Sequence, residues 1–218
     1  MELKDKKINV LGDSITEGAG ASSTEKRFAD LLSKDTGAVV RNYGIGGTRY
    51  AKQATPSADA RHDLDFCRRA TEMDPDADIV LVFGGTNDYG HGDAPIGTPD
   101  DRTPETFYGA AHTLYRTLRE RYINSTIIIL TPLHRSNENN PLGDGSKKTP
   151  CPPLKKYVEI IREVAEYYGL PVLDLYKVSG MQPEVPVIKE MFMPDGLHPN
   201  DAGYRRLADT IISYLRNF

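Results

Sequence analysis

The sequence predicts an α/β fold in three layers (α/β/α), with helices on both faces of a five-stranded parallel sheet. Two observations lead to this prediction. Short apolar runs alternate with longer segments of helical periodicity, and the runs are β-branched and nearly continuous, as is typical of strands buried on both faces. The predicted strands lie at residues 8–11, 38–40, 78–83, 126–131 and 172–175.

Apolar stripes with a helical period separate and follow these strands. They lie at residues 28–32, 107–118, 154–168 and 204–215, with a weaker stripe at 57–73. Thr103 and Pro104 predict the start of the second helix, because threonine caps helices well and proline suits the first helical position. Gly169 predicts the end of the third helix. The alternation of strands and helices implies right-handed crossovers between parallel strands.

Length and composition favour a single domain over residues 1–218. Hydrophobic residues make up 39% of the chain, and the net charge of −4 with no block of Lys or Arg argues against a nucleic-acid partner. The two cysteines lie in no disulfide or zinc spacing. No stretch is apolar enough for a secretory signal or a bilayer span, which predicts a cytoplasmic protein without a membrane partner. Assembly into a homo-oligomer stays open.

Polar and glycine-rich segments follow the predicted strands. Ser14 comes just after the first strand, the loop 42–47 after the second, and Asn87 after the third. Asp195 and His198 stand immediately before the last helix. Because ligands of open parallel sheets bind beyond the carboxyl ends of the strands, we expect these side chains to share one edge. The loops 134–153 and 176–194 are long enough to cover or shape a site there.

This set of residue types is what acyl transfer requires. A serine hydroxyl becomes a good nucleophile when a histidine accepts its proton, and a carboxylate must hold that histidine in the right tautomer. Asp195 and His198 are three residues apart, close enough for the carboxylate to accept the Nδ1 proton while Nε2 faces Ser14. The backbone N–H of Ser14, a backbone N–H of the glycine loop and the Asn87 amide are suitable donors for an oxyanion.

Each signal by itself has a plainer interpretation. Gly-Asp-Ser is a common turn after a strand, and Asn87 could cap a helix. The glycine loop could suit a dinucleotide, but that fingerprint should follow the first strand of a βαβ unit rather than the second. Most of the histidines lack partners at metal-ligand spacing, so we expect structural roles for them. Tyr43, Tyr89 and His91 flank the predicted site and are candidates for substrate binding.

The four segments resemble those of the SGNH hydrolases, also called the GDSL esterase/lipase family. They read GDSIT, NYGIGGT, GGTND and DGLHPND, in the family's order and across nearly the whole chain. The resemblance implies a flavodoxin-like fold with Ser14 as the nucleophile, Asp195 as the acid of the triad and His198 as the base. It also implies an oxyanion hole formed by Ser14, Gly47 and Asn87.

The function expected from these residues is that of a serine esterase with no metal or organic cofactor. An open, polar site favours short acyl groups, such as O-acetyl groups on carbohydrates, so the expected partner is a small-molecule or carbohydrate ester. A lysophospholipase or thioesterase with the same site remains an alternative. A catalytically silent binding module of flavodoxin-like fold is the alternative from another class.

Overall fold

The computed structural model describes all residues, 1–218. Five parallel strands form one sheet in the order β2-β1-β3-β4-β5. The strands are β1 (Lys7–Gly12), β2 (Val39–Gly44), β3 (Ile79–Phe83), β4 (Thr126–Leu130) and β5 (Val172–Leu173). The predicted α/β fold with a five-stranded parallel sheet is therefore confirmed.

Nine α-helices connect and flank the strands. They are α1 (Ser14–Glu17), α2 (Phe28–Thr36), α3 (Phe66–Ala70), α4 (Thr86–Gly90), α5 (Phe107–Arg121), α6 (Leu154–Tyr167), α7 (Leu175–Val178), α8 (Pro186–Phe192) and α9 (Asp201–Asn217). Short 3-10 turns lie at Thr24–Lys26 and Ala60–Asp63. None of the helices combines the length and the apolar character needed to cross a membrane.

The sheet separates two hydrophobic layers. Successive side chains of a strand point to opposite faces, so Val80 and Val82 of β3 pack with α3, α5 and α6, whereas Ile79 and Leu81 pack with α2 and α9. All residues of β3 are buried, which explains why the sequence shows a continuous apolar run there rather than an alternating one. The polar segments lie outside these two hydrophobic layers, at the carboxyl edge of the sheet.

Three local predictions need correction. The segment 57–73 is not one continuous helix but a 3-10 turn at Ala60–Asp63 followed by α3, because the Asp63 carboxylate accepts hydrogen bonds from the backbone N–H and hydroxyl of Ser57 and stabilises a compact loop before α3. Helix α5 begins at Phe107 rather than near Thr103, since the Thr106 hydroxyl accepts from the Gly109 N–H. The segment 176–194 is not one loop, because it contains α8 and most of α7.

Candidate active site

Ser14 is the first residue of α1, two residues beyond the end of β1. Asp13 caps this helix, and its Oδ1 accepts a hydrogen bond from the Ile15 N–H at 3.0 Å. This hydrogen bond fixes the conformation of the turn that carries Ser14 beyond the end of β1. The serine therefore lies at the carboxyl edge of the sheet, as the sequence predicts, with its backbone N–H among the unpaired donors at the start of the helix.

Ser14, His198 and Asp195 form one hydrogen-bonded chain. The Ser14 Oγ lies 3.0 Å from His198 Nε2, and His198 Nδ1 lies 2.7 Å from Asp195 Oδ2. The other carboxylate oxygen, Asp195 Oδ1, accepts from the backbone N–H groups of Leu197 at 2.8 Å and His198 at 2.7 Å. The turn thus holds the carboxylate and the imidazole in a fixed relation, and the imidazole presents Nε2 to the serine.

The ionisation of Asp195 suits this arrangement. Partial burial acts to raise the pKa of its carboxyl, but the hydrogen bonds from His198 and Leu197 outweigh burial and hold the pKa below its usual value. An ionised carboxylate only accepts hydrogen bonds, so Nδ1 of His198 carries the proton between them. Nε2 is then free to accept the proton of the Ser14 hydroxyl.

The glycine loop after β2 lies against the serine. A Cβ built on Gly46 would lie 3.6 Å from the Ser14 Cβ, and the Gly46 N–H donates to Glu17 of α1 at 2.7 Å. Gly47 has φ +74°, and a Cβ there would lie 2.4 Å from the His62 ring. Only glycine meets both conditions without strain. The backbone of the loop can therefore approach a reacting carbonyl closely.

Asn87 joins the same edge from the start of α4. Its side chain is buried, with 4% exposed, and its Nδ2 donates to the Thr48 carbonyl at 3.0 Å. A side-chain amide has two N–H groups. One of them binds the Thr48 carbonyl just after the glycine loop, and the other makes no hydrogen bond within the protein. The structure thus places Asn87 and the glycine loop at the same edge of the sheet as the Ser14–His198–Asp195 chain.

Sequence reasoning missed Arg69, which lies beneath this edge on α3. Its guanidinium is buried and donates to the carbonyl of Gly12 at 3.0 Å, to the Thr48 hydroxyl at 2.7 Å and to the Tyr43 carbonyl at 2.6 Å. Burial lowers the pKa of Arg69 to about 10, so the group stays cationic near neutral pH. It ties the end of β1 to the glycine loop. An arginine beside another arginine on a weak helical stripe gives no sequence signal for this role.

The buried carboxyl groups of Asp13 and Asp88 hold the loops of the site by accepting hydrogen bonds from backbone N–H groups. Asp88 accepts from the backbone N–H groups of Tyr50 at 3.0 Å and Ala51 at 2.9 Å, which connects the segment after the glycine loop to α4. Burial raises the pKa of Asp13 and that of Asp88 to about 6. Both carboxyls therefore change charge well above the usual pH range of an aspartate.

The raised pKa of Asp13 predicts a pH dependence of stability. Between pH about 4 and 6 the folded protein holds a proton that the unfolded chain has released, so this group's contribution to stability is lost as the pH rises through that window. Asn at position 13 would still accept from Ile15 without titrating. We expect the free energy of unfolding of Asp13→Asn, relative to wild type, to increase by on the order of 3 kcal/mol between pH 4 and 7.

Urea denaturation of both proteins at several pH values measures this difference. Asp88→Asn is unsuitable for the comparison, because both oxygens of Asp88 accept backbone hydrogen bonds. Parallel pH profiles for Asp13→Asn and wild type would show that Asp13 titrates as an ordinary carboxyl.

The three residues suggested for substrate binding are placed differently from one another. Tyr89 is fully buried, and its hydroxyl donates to the carbonyls of Asn137 and Asn140. The Tyr43 hydroxyl accepts from the Asp74 N–H, near the opposite edge of the sheet. Both tyrosines are therefore structural contacts in this fold and do not reach the triad. His91 does lie beside the site, with Nε2 3.2 Å from the Gly47 carbonyl.

The loop 134–153 packs against the site. Its Ser136 N–H donates to the Gly196 carbonyl, inside the turn that carries the triad acid, at 2.7 Å, and its Asp144 N–H donates to the Gly90 carbonyl at 2.9 Å. Arg135 reaches the carbonyl of Thr86 at 3.2 Å. The loop thus supports both the Asp195 turn and the helix of Asn87. No three His, Cys, Asp or Glu side chains anywhere in the chain are arranged to hold a metal ion.

A parallel sheet with helices on both faces that carries a hydrogen-bonded Ser–His–Asp chain at its carboxyl edge is an arrangement typical of hydrolases. A family model described as the GDSL-like Lipase/Acylhydrolase family matches residues 10–206. The chain belongs to this family, whose members are ester hydrolases.

Solved structures agree over the whole chain. One that is 34% identical has a TM-score of 0.85, with 100% of this chain and 99% of the other covered. A protein from Lactobacillus plantarum is 28% identical with a TM-score of 0.83, covering 99% of this chain and 98% of that one. A lipase/acylhydrolase from Enterococcus faecalis, at 24% identity and a TM-score of 0.65 over 97% and 96% of the two chains, shows the same fold. Comparison with curated proteins finds no match.

Proposed function

We propose that this protein is a serine esterase that hydrolyses carboxylic esters through an acyl-enzyme on Ser14. The observation that carries the proposal is the continuous chain from the Ser14 Oγ to His198 at 3.0 Å and from His198 to Asp195 at 2.7 Å. A buried structural histidine has no need of a carboxylate on one nitrogen and a serine hydroxyl on the other. Membership of an acylhydrolase family supports the same reaction class.

In the proposed mechanism, Ser14 Oγ attacks the ester carbonyl while His198 Nε2 accepts its proton. The carbonyl oxygen becomes an oxyanion, which receives hydrogen bonds from the backbone N–H groups of Ser14 and Gly47 and from the Asn87 amide. His198 then donates the proton to the leaving alcohol, and the acyl group remains on Ser14. Water, deprotonated by His198, hydrolyses this acyl-enzyme and restores the serine.

The substrates proposed are small-molecule or carbohydrate esters with short acyl groups, O-acetyl groups among them. The carboxylate of Asp195 is about half exposed, with 55% of its side chain accessible, and 23% of the His198 side chain is accessible. An open site of this kind offers little apolar surface to a long chain, and burial of methylene groups is what favours long-chain substrates. A polar alcohol, by contrast, loses little hydration there.

Hydrolysis of p-nitrophenyl acetate, butyrate and octanoate by the wild type and by Ser14→Ala tests the proposal. We expect turnover that falls with chain length in the wild type and is lost in the variant. Preference for octanoate, or for thioesters, would favour the lysophospholipase or thioesterase alternative. No turnover of any ester, together with no labelling of Ser14 by a fluorophosphonate, would contradict the proposed esterase activity. The result would favour the alternative of a catalytically silent binding module.

A further inference from the structure

The end of the glycine loop presents one backbone N–H without an acceptor. The Gly47 N–H makes no hydrogen bond within the protein. The other N–H groups of residues 44–48 all donate, in the pairs Gly44–Asn42 side chain (2.8 Å), Ile45–Gly12 carbonyl (3.1 Å), Gly46–Glu17 carboxylate (2.7 Å) and Thr48–Ile45 carbonyl (3.4 Å). The free donor is the one that the proposed mechanism assigns to the oxyanion.

The direction of this N–H depends on the turn Ile45–Thr48. Gly47 is the third residue of the turn and has φ +74°, whereas Gly46 has no positive φ, which is the pattern of a type II turn. In a type I turn the third residue has a negative φ, and the peptide that carries its N–H is rotated by roughly 150°. The donor therefore serves an oxyanion only while the turn keeps its conformation and its place beside Ser14.

Glu17 connects this turn to the helix of the nucleophile. It is the last residue of α1, whose first residue is Ser14, and its Oε2 accepts the Gly46 N–H at 2.7 Å. A Cβ built on Gly46 would lie 2.9 Å from that oxygen and 3.6 Å from the Ser14 Cβ, so the turn lies directly against α1. Because each peptide unit is a rigid plane, a contact that holds the Gly46 N–H also restricts the next peptide, which carries the Gly47 N–H.

The second oxygen of the Glu17 carboxylate accepts a hydrogen bond from Arg61. Arg61 belongs to the 3-10 turn Ala60–Asp63, and the next residue, His62, covers the glycine loop so closely that a Cβ on Gly47 would collide with its ring. The Glu17 and Arg61 side chains are both partly exposed, and ion pairs of this kind add little to stability. The pair has an electrostatic effect instead, because an unpaired carboxylate beside the loop would repel an oxyanion.

We propose that Glu17 is a positioning residue for the oxyanion hole and that Arg61 neutralises its carboxylate. The inference rests on the proposed esterase activity and adds two side chains to the same site. Glu17 acts through Gly46 and keeps the Gly47 N–H beside Ser14 when the oxyanion forms. A charged acceptor makes a stronger hydrogen bond than a neutral one, and Arg61 offsets the repulsion that this charge would exert on the oxyanion.

Two substitutions of Glu17 test its role on p-nitrophenyl acetate. Glu17→Met removes the acceptor of the Gly46 N–H at similar side-chain length, whereas Glu17→Gln keeps an acceptor oxygen. We expect kcat of Glu17→Met to fall about tenfold, the loss typical of a hydrogen bond to a charged group, with KM near the wild-type value. Glu17→Gln should restore most of this loss. A purely structural role would lower the melting temperature and leave kcat of the folded protein unchanged.

A double-mutant cycle tests the role of Arg61. Arg61→Met leaves the Glu17 carboxylate without its cation, and we expect kcat to fall about threefold at low ionic strength and by less at high salt, which screens the repulsion. In the Glu17→Gln background the same change should leave kcat unaltered, because no charge remains to be neutralised. Equal losses in both backgrounds would exclude neutralisation of Glu17 as the role of Arg61.

Arg68→Met and Glu72→Met are the matched controls. Arg68 and Glu72 also form an exposed ion pair, at 3.2 Å, and their side chains make no hydrogen bond to the glycine loop. Both variants should therefore keep the wild-type kcat and KM. A loss of kcat in either control equal to that of Glu17→Met would assign the effect to surface charge in general and overturn the proposed role.

Hydrogen exchange of the Gly46 amide, followed by NMR, gives a readout that does not depend on turnover. We expect slow exchange in the wild type and in Glu17→Gln and faster exchange in Glu17→Met, because only the last variant lacks the acceptor. Wild-type kcat in a Glu17→Met protein would overturn the role of Glu17 and leave the esterase standing. No ester turnover by the wild type would contradict the proposed function and the oxyanion role with it, even if exchange shows the contact with Gly46.

Discussion

His198→Ala is expected to reduce kcat on p-nitrophenyl acetate by a factor of about 10⁴–10⁶, the loss seen when the base of a serine hydrolase triad is removed. Without Nε2 at 3.0 Å from the Ser14 Oγ, no group accepts the hydroxyl proton during attack or returns it to the leaving alcohol. His198 lies in a turn and its ring contacts only Ser14 and Asp195 by hydrogen bonds. The fold should therefore persist, with thermal melting by circular dichroism as the check.

The controls for this prediction are a double variant and a distant histidine. Ser14→Ala combined with His198→Ala should be no slower than either single variant, because the two side chains act as one unit. His112→Gln should keep the wild-type kcat, since His112 lies on α5 and contacts Tyr168 rather than the triad. Retention of a tenth of the wild-type turnover by a folded His198→Ala protein would exclude His198 as the base.

The site could be predicted largely from the sequence because its parts depend on short-range geometry. The pair Asp195 and His198 is fixed within one turn, and the chain direction of β1 alone delivers Ser14 to the carboxyl edge of the sheet. Because parallel strands end at a common edge, placing Asn87 required only the identification of β3 as a strand. Strands β1, β3 and β4 are short, nearly continuous apolar runs, whose pattern indicates buried parallel strands.

What could not be predicted depends on long-range contacts. Arg69 binds the carbonyl of Gly12, which is 57 residues away in sequence, and no local pattern records that contact. Tyr89 flanks Asn87 in sequence, but the helical turn of α4 points its ring into the core, so adjacency in sequence did not mean adjacency in the site. The segment 57–73 has a weak apolar stripe, and side-chain hydrogen bonds of Asp63 decide its conformation. Such competition between side chain and backbone is invisible to periodicity.

Asn87→Ala is expected to lower kcat by about 10²–10³ with little change in KM, the effect of losing one oxyanion donor. Asn87 is 4% exposed and lies in the first turn of α4, next to the glycine loop. A donor aimed at the oxyanion binds the tetrahedral state more strongly than the planar ester, so its loss affects kcat rather than substrate binding. Steady-state kinetics on p-nitrophenyl acetate and butyrate give both constants.

The contact of Asn87 with the Thr48 carbonyl requires a second variant, because Asn87→Ala also releases the glycine loop. Asn87→Asp keeps the size of the side chain but replaces the donor with a carboxylate, which would repel both the oxyanion and the Thr48 carbonyl. If Asn87 stabilises the oxyanion, kcat of Asn87→Asp should be at least as low as that of Asn87→Ala, with KM near the wild-type value in both variants. If Asn87 only positions the loop, KM should rise in both variants while kcat falls by less than tenfold, and the oxyanion role would be excluded.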